Sequence, residues 1–152
     1  MTMSGFHTNL LTGLATVLAA GGLGATYNTS GGYTVLQTGI VLGRIPQSPP
    51  RIVALASYDV DEHPALSDSV TGVQVRCRWE GPDLRPVEDL QDLIFNLLQG
   101  KENFTLGTGG SSVFVVLCLL QSAATLGQDE NERWSNVANY YLHCHRPSAH
   151  RS

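Results

Sequence analysis

The chain has a single lysine, Lys101, and no cluster of basic residues. Its first 50 residues carry one charged side chain, Arg44, whereas residues 51–100 hold nine acidic groups and four arginines. Proteins that grip nucleic acid need grouped Lys and Arg side chains to displace counterions from the phosphates. The shortage of positive charge therefore disfavours tight binding of DNA or RNA.

Cysteine is also scarce, and its three copies are an odd number: Cys77, Cys118 and Cys144. All three lie in apolar or strand-like runs, where a small hydrophobic side chain fits a core. A secreted disulfide framework would show an even set of cysteines in a short, loop-rich chain. We therefore expect reduced, mostly buried thiols and a cytosolic compartment.

Long hydrophobic runs are absent. The segment VFVVLCLL, residues 113–120, is far shorter than the roughly 20 residues needed to cross a bilayer. Residues 10–26 are apolar, but no Lys or Arg precedes them, which argues against a signal peptide. We expect no membrane partner.

The length of 152 residues suits one domain, because domains cluster near about 100–150 residues. We see no internal repeat and no linker that would separate two units. The sequence therefore predicts a single domain over residues 1–152, with a polar C-terminal tail at about 147–152 following the last strand.

Two segments have helical periodicity. Residues 6–20 place apolar side chains on one stripe, and Gly21 and Gly22 follow as a stop signal. A second helix is predicted from Asp83 to Gly100, with Pro86 in its first turn. Its predicted apolar stripe is Leu90, Leu93, Ile94 and Leu97, opposite the polar set Glu88, Asp89, Gln91 and Asp92.

The other regular segments have strand patterns. The predicted strands lie near 34–36, 40–42, 51–60, 70–80, 104–107, 113–121 and 137–146. Within 70–80 the alternation predicts Val73, Val75, Cys77 and Trp79 inward and Gln74, Arg76 and Arg78 outward. Residues 61–69 are predicted as a polar loop and residues 124–134 as a turn-rich connector. The fold class is α+β: a mostly antiparallel sheet or sandwich with two main helices packed on one face.

The C-terminal segment YYLHCHRPSAHRS has the residue types of a metal site. His143 and His145 are two positions apart and would share one face of a strand, while Cys144 would point to the other. His150 could fold back, but nothing nearby supplies a fourth ligand at a familiar spacing. A strand end that runs into a polar tail is the favoured interpretation, and a small metal-dependent enzyme built on these histidines is the alternative.

Other fragments lack the context that their chemistry requires. The glycine-rich stretches at 19–26 and 106–112 do not continue as nucleotide-binding motifs. The acidic group around Asp59 to Asp68 lacks calcium-loop spacing, and Ser67, Ser69 and His63 have no nucleophile motif around them. We therefore predict no catalytic residue, no metal ligand and no cofactor, and we favour an interaction or structural protein.

Four stretches together resemble the tail terminator or minor capsid proteins of long-tailed phages, particularly those that infect actinobacteria. The stretches are FHTNLLTGLATVLA, TGIVLGRIPQSPPRIVALASYDV, HPALSDSVTGVQVRCR and LGQDENERWSNVANYYLHCHRPSAHR. The most specific parts are residues 64–76 and the run from 126 to the C-terminal HRPSAHR. The resemblance implies that HRPSAHR is an ordinary C-terminal signature of the family and not a metal cage.

The resemblance implies a structural virion protein that caps the tail tube, ends its polymerisation and joins the tail to the head as a ring, with a hexamer as the expected order. Its partners would be further copies of itself, the major tail tube protein and a head-completion or neck protein, with the tape measure protein as a further candidate. DNA would pass through without specific binding. The protein would act at the head–tail junction of the virion after assembly in the host cytoplasm. Another neck protein of similar fold is the nearest alternative.

Two polar segments, residues 64–69 and 127–134, are the predicted contact regions. The predicted interaction residues are Asp68, Gln128, Asp129 and Arg133. An acidic channel would repel phosphate and let DNA slide past. We therefore expect part of one acidic set to face the channel: Glu88, Asp89, Asp92, Asp129, Glu130 and Glu132.

Overall fold

The computed structural model describes residues 5–152 and contains two α-helices and seven strands within them. The elements, in chain order, are α1 (Phe6–Ala20), β1 (Ala25–Tyr27), β2 (Thr38–Leu42), β3 (Arg51–Glu62), β4 (Asp68–Glu80), α2 (Arg85–Leu98), β5 (Glu102–Leu106), β6 (Val113–Gln128) and β7 (Arg133–His145). None of the helices described is both long and apolar enough to cross a bilayer.

All the strands form one seven-stranded sheet in the order β1-β2-β3-β4-β7-β6-β5. The first three strands run parallel to one another, and every other neighbouring pair is antiparallel. Both helices pack on this sheet. The predicted α+β class, with a mostly antiparallel sheet and two main helices, is confirmed.

The core lies between the helices and one face of the sheet. Leu10, Leu14 and Leu18 of α1 are fully or almost fully buried and share one cluster with Val87 and Ile94 of α2. Each such side chain stabilises the fold by about 1.5–3 kcal/mol relative to exposure. Helix α1 approaches β5 so closely that a Cβ at Gly13 would lie 2.6 Å from the Gly107 nitrogen.

Strands β1, β6 and β7 differ most from the prediction, and β3 and β4 each extend two residues into the predicted loop at 61–69. The predicted strand at 34–36 is irregular, and the short β1 lies earlier instead, in a stretch that the sequence presents as loose. The predicted connector at 124–134 is mostly strand, because β6 continues to Gln128 and β7 begins at Arg133. Only residues 129–132 form the hairpin loop. The β6–β7 hairpin is therefore much longer than predicted.

Arg78 is the exception to the predicted alternation of β4. Its side chain points to the outer face as expected, but the residue is only 6% exposed because the 45–50 connector crosses it. The guanidinium donates hydrogen bonds to the Pro50 carbonyl at 2.9 Å and to the Pro49 carbonyl at 2.7 Å. The connector is thus fastened to the outer face of the sheet.

Helix α2 is rotated relative to the predicted stripe. Gln91, which was predicted on the polar face, is 8% exposed, whereas Leu93 is 45% exposed. The Gln91 amide donates to the Val75 carbonyl at 3.1 Å and to Asn136 Oδ1 at 3.0 Å. Asn136 in turn donates to the Val87 carbonyl at 3.1 Å. Hydrogen bonds to the sheet therefore draw a polar residue into the helix–sheet contact.

The polar tail at 147–152 is held in place rather than frayed. The backbone nitrogen of Ser67 donates to the Ser152 carbonyl at 2.9 Å. Arg151 Nη1 lies 2.7 Å from Glu62 Oε2, and Arg146 Nη1 lies 3.2 Å from Glu62 Oε1. The C-terminal segment is thereby fastened to the β3–β4 hairpin.

Candidate functional site

The predicted interaction residues at the β6–β7 hairpin build its turn. Asp129 Oδ1 accepts hydrogen bonds from the backbone nitrogens of Asn131 and Arg133, at 2.9 and 3.0 Å. Asp129 Oδ2 pairs with Arg133 Nε at 2.8 Å. Partial burial opposes the charge of Asp129, but the hydrogen bonds from Arg133 and Asn131 outweigh it and hold the pKa of the carboxyl below its ordinary value. Asp129 therefore works first as the organiser of this turn.

Arg133 is buried, which corrects the prediction that it is an exposed contact residue. It is only 8% exposed. Its guanidinium reaches the Gln47 carbonyl at 2.8 Å and Gln47 Oε1 at 3.0 Å. It thus joins the hairpin to the 45–50 connector within one subunit, and its donors are directed inward.

Gln128 and Asp68 are exposed, and Asp129 is exposed as well although its carboxylate is bonded within the turn. Gln128 lies at the hairpin, where its amide is 3.4 Å from the Gly81 and Glu132 carbonyls. Asp68 lies at the other end of the β4–β7 pair, opposite His145, whereas Glu80 is opposite Arg133. At about 3.3 Å per residue, the two ends are about 40 Å apart. The predicted set therefore forms two sites and not one.

The predicted channel acids lie on α2 and on the hairpin loop. Asp89, Asp92, Glu130 and Glu132 are exposed. Glu88 is half-buried, and its Oε1 accepts hydrogen bonds from Thr125 Oγ1 and Asn136 Nδ2, both at 3.1 Å. Helix α2 packs against β4, β6 and β7, so its acidic residues lie on the same side of the fold as the β6–β7 hairpin. The exposed acids are the ones whose charges face solvent.

Of the C-terminal histidines, His145 has local partners. His143 and His145 lie on one face of β7, as predicted, and Cys144 is buried on the other. The His145 ring stacks on Phe114, with centroids 5.9 Å apart, and its Nδ1 lies 3.3 Å from Ser67 Oγ. Within residues 5–152, no three His, Cys, Asp or Glu side chains are placed so that they could hold a metal ion.

The side chains that could act as nucleophiles or bases are either kept protonated by burial or engaged in hydrogen bonds. Burial raises the pKa of the Cys118 thiol to about 12 and that of Cys144 to about 11, so both stay protonated at neutral pH. His63 Nδ1 accepts hydrogen bonds from the backbone N–H groups of residues 65 and 66. Ser69 Oγ donates a hydrogen bond to Glu62 Oε1 at 2.7 Å. His63 and Ser69, considered as catalytic candidates from the sequence, therefore use their polar atoms in hydrogen bonds within the β3–β4 hairpin.

Sequence reasoning missed the network on the C-terminal segment. Arg146 lies over the Phe6 ring at 4.4 Å and 3.0 Å from Asp59, while Asp59 is 3.2 Å from His7 Nε2. Together with Glu62 and Arg151, these groups link α1, β3 and the last residues of the chain. The sequence signal was a pair of arginines, Arg146 at the end of the last predicted strand and Arg151 in the polar tail.

The sequence from residue 20 to residue 146 matches the protein family described as bacteriophage tail terminator protein. The chain belongs to the bacteriophage tail terminator family. The structure of this family member is also similar to a chain in the virion of a native gene transfer agent particle, with a TM-score of 0.54 and 12% identity. That alignment covers 70% of this chain and 78% of the other, and it shows a shared fold. No curated protein matches the sequence.

Membership of the tail terminator family, together with the fold, points to a structural virion protein of a phage tail. The resemblance read from the sequence is confirmed at the level of the family. The surfaces of interest in this family member are therefore those that could contact other proteins: the exposed acids of α2, the β6–β7 hairpin, the Asp68 end of β4 and the edges of the sheet.

Proposed function

We propose that this protein caps the phage tail tube, ends its polymerisation and joins the tail to the head as a ring. The observation that carries the proposal is the family match over residues 20–146. In this role the chain acts by shape and surface, and no substrate is transformed. One face of the ring would match the tube, and the other would lack the surface that adds another layer of tube subunits.

A closed ring requires a different patch on each side of every subunit, since each copy contacts its two neighbours heterologously. The weakly charged N-terminal region supports this arrangement, because the buried centres of protein interfaces are depleted of charge. A hexamer is the proposed order. The proposed partners are further copies of the chain, the major tail tube protein, a head-completion or neck protein, and the tape measure protein as a further candidate. The proposed location is the head–tail junction, after assembly in the host cytoplasm.

The structure refines the proposed contact and channel residues. Asp68 and Gln128 are exposed and remain proposed contacts with a partner. Asp129 and Arg133 would support recognition indirectly, because they fix the hairpin on which Gln128 lies. In the channel, Asp89, Asp92, Glu130 and Glu132 would present their charges to DNA, while Glu88 and Asp129 would add charge from internally bonded positions.

The test is the length and fate of tails made by a phage that lacks this protein. We expect tail tubes that run past their normal length and do not join heads, and wild-type protein supplied in trans should restore both. A variant with a stop codon early in the gene, together with its revertant, is the matched pair. Tails of normal length that merely fail to join heads would instead assign the chain to another part of the neck.

A further inference from the structure

At the β5 edge of the sheet, β5 covers only the first part of the longer strand β6. Strand β5 pairs with β6 only from Val113 to Leu117. Backbone hydrogen bonds then join Cys118 to Lys101 and Gly100. The last contact is from the Leu120 nitrogen to Gln99 Oε1 at 2.7 Å. Beyond it, residues 121–128 of β6 have β7 on one side, and no strand from residues 5–152 lies on the other. At about 3.3 Å per residue this free edge is about 26 Å long.

Of the protections found on natural edge strands, this free edge has bulges but neither charge nor proline. Natural edge strands carry Lys, Pro or inward-pointing charge that blocks pairing with another chain. Residues 121–128, QSAATLGQ, contain no charged residue and no proline. Pairing with β7 slips by one residue at Gln121 and again at Leu126, so these are bulge positions and the run between them is regular. Leu126 is 51% exposed.

The opposite edge of the same sheet matches it. Strand β1 is short, Ala25–Tyr27, and fits the regular run between the two bulges of β6. The chain from residue 5 to residue 43 contains no Asp, Glu, Lys or Arg. Two large apolar side chains lie just before β2, with Val35 64% and Leu36 87% exposed. Both edges are therefore uncharged, and both carry exposed apolar groups.

Strand direction makes the two edges compatible. Within the sheet β1 runs antiparallel to β6, as follows from the pairings between them. A second copy added in the same orientation would therefore present β1 antiparallel to the free edge of β6. Thr38 pairs with Ala25, so Leu36 lies at the Ala25 end of β1. In the antiparallel arrangement this end meets Thr125 and Leu126, which brings the exposed leucines of the two copies together.

Charge disfavours the symmetric alternative, in which two β6 edges pair with each other. A two-fold axis perpendicular to the sheet would place both helix layers on one side and bring the two copies of α2 together. Glu88 of α2 is bonded to Thr125 of β6, so the acidic groups of both helices would then be neighbours. Like charges in that position repel. The β1 edge instead brings α1, which has no acidic or basic residue other than His7.

We propose that the free edge of β6, residues 121–128, pairs antiparallel with β1 of a second copy, so that the sheets of neighbouring subunits become continuous. The contact is head-to-tail. Every open assembly therefore keeps one unpaired β6 edge and one unpaired β1 edge until a ring closes. This inference rests on the proposed ring for its biological setting, but its contacts stand on the two edges alone.

The experiment uses the full-length protein and measures its assembly state by sedimentation velocity and native mass spectrometry. Leu126→Lys and Leu36→Lys place a charge on one edge each, and Leu93→Lys, at another exposed leucine on α2, is the matched control. We expect wild type and the control to assemble and each edge variant to be monomeric. An equal mixture of the two edge variants has one intact pair of edges, so it should give a dimer and no larger species.

A charge-complementary double variant tests the contact itself. Leu126→Lys combined with Leu36→Glu in one chain should restore assembly, whereas Leu126→Lys combined with Leu36→Lys should not. Normal assembly of Leu36→Lys, or a wild-type chain that stays monomeric at every concentration reached, would overturn the edge pairing. Tail length in phage lacking the protein decides the proposed function separately, so edge variants that assemble and control tail length normally would refute this inference alone.

Discussion

At the scale of single residues, two buried arginines hold the outer face of the sheet. Arg78 and Arg133 both reach the Gln47 carbonyl, at 3.4 and 2.8 Å. Burial, with the charge of Arg133 nearby, lowers the pKa of Arg78 to about 10, so the guanidinium remains charged at neutral pH. A buried charge of this kind is tolerated only because carbonyl oxygens surround it. The arrangement thus depends on the full set of hydrogen bonds.

Arg78→Ala should destabilise the protein by about 2–4 kcal/mol, because it strands the carbonyls of Pro49 and Pro50 under the connector. The matched control is Arg76→Ala, on the same face of the same strand but exposed, which should change stability by less than about 0.5 kcal/mol. Urea unfolding followed by tryptophan fluorescence measures both. Equal effects of the two substitutions would show that the carbonyl contacts contribute nothing.

At the scale of elements, the sequence was sufficient for the helices and for most of the sheet but not for the long β6–β7 hairpin. A strand is recognised by its period of two, and each bulge shifts that period by one residue. The pairing of β6 slips at Val116, Gln121 and Leu126, so no window between 113 and 128 keeps the alternation for long. Gly127 and the acidic run after it then read as a turn. The bulges in β6 interrupt the alternation, so the sequence did not predict the full length of the hairpin.

Contacts between distant parts of the chain explain the remaining differences. The alternation of β4 correctly placed Arg78 on the outer face, but it carried no information about the connector that covers it. Gln91 is polar, and its burial depends on hydrogen-bond acceptors at Val75 of β4 and Asn136 of β7. The candidate contact residues were found by polarity alone, which cannot distinguish an exposed Gln128 from a buried Arg133. Such distinctions require the pairing of elements far apart in sequence.

The C-terminal segment is the element whose stability should depend most on pH. Partial burial disfavours the charge of Glu62, but hydrogen bonds from Ser69 and Arg151 and the charges of Arg146 and Arg151 outweigh it and lower its pKa below 4.5. A carboxyl with a lowered pKa stabilises the fold above its unfolded value and loses that contribution as the pH falls through the folded one. The ion pairs of the segment should therefore weaken in acid.

Glu62→Gln should cost about 1–2 kcal/mol of unfolding free energy at neutral pH, since it removes the charge that both arginines contact. The difference from wild type should stay constant down to a pH of about 4.5 and shrink below it. Denaturant titrations at a series of pH values provide the comparison, with Glu102→Gln on exposed β5 as the control. A difference that is the same at pH 3 and pH 7 would mean that Glu62 acts without its charge.

At the scale of the whole molecule, charge is distributed unevenly. The N-terminal part, including α1, β1 and β2, is almost uncharged, and acidic groups gather on α2 and at the end of the β6–β7 hairpin. In the proposed ring the first region would contact neighbouring subunits, and the second would border the channel. An acidic border would keep phosphate moving, because no counterions are released when DNA passes it.

Reversing the exposed acids of α2 should therefore make the ring adhesive to DNA. We expect the double variant Asp89→Lys and Asp92→Lys to bind duplex DNA more tightly than wild type, with an affinity that falls as salt rises, and to slow DNA ejection from assembled particles. The control, Asp61→Lys and Glu102→Lys, makes the same change of net charge at exposed positions outside the proposed channel. Overall charge alone would raise DNA affinity equally in both variants and leave ejection unchanged. Slower ejection confined to the α2 variant therefore depends on where those two side chains lie, and an ejection rate unchanged in that variant would remove α2 from the channel.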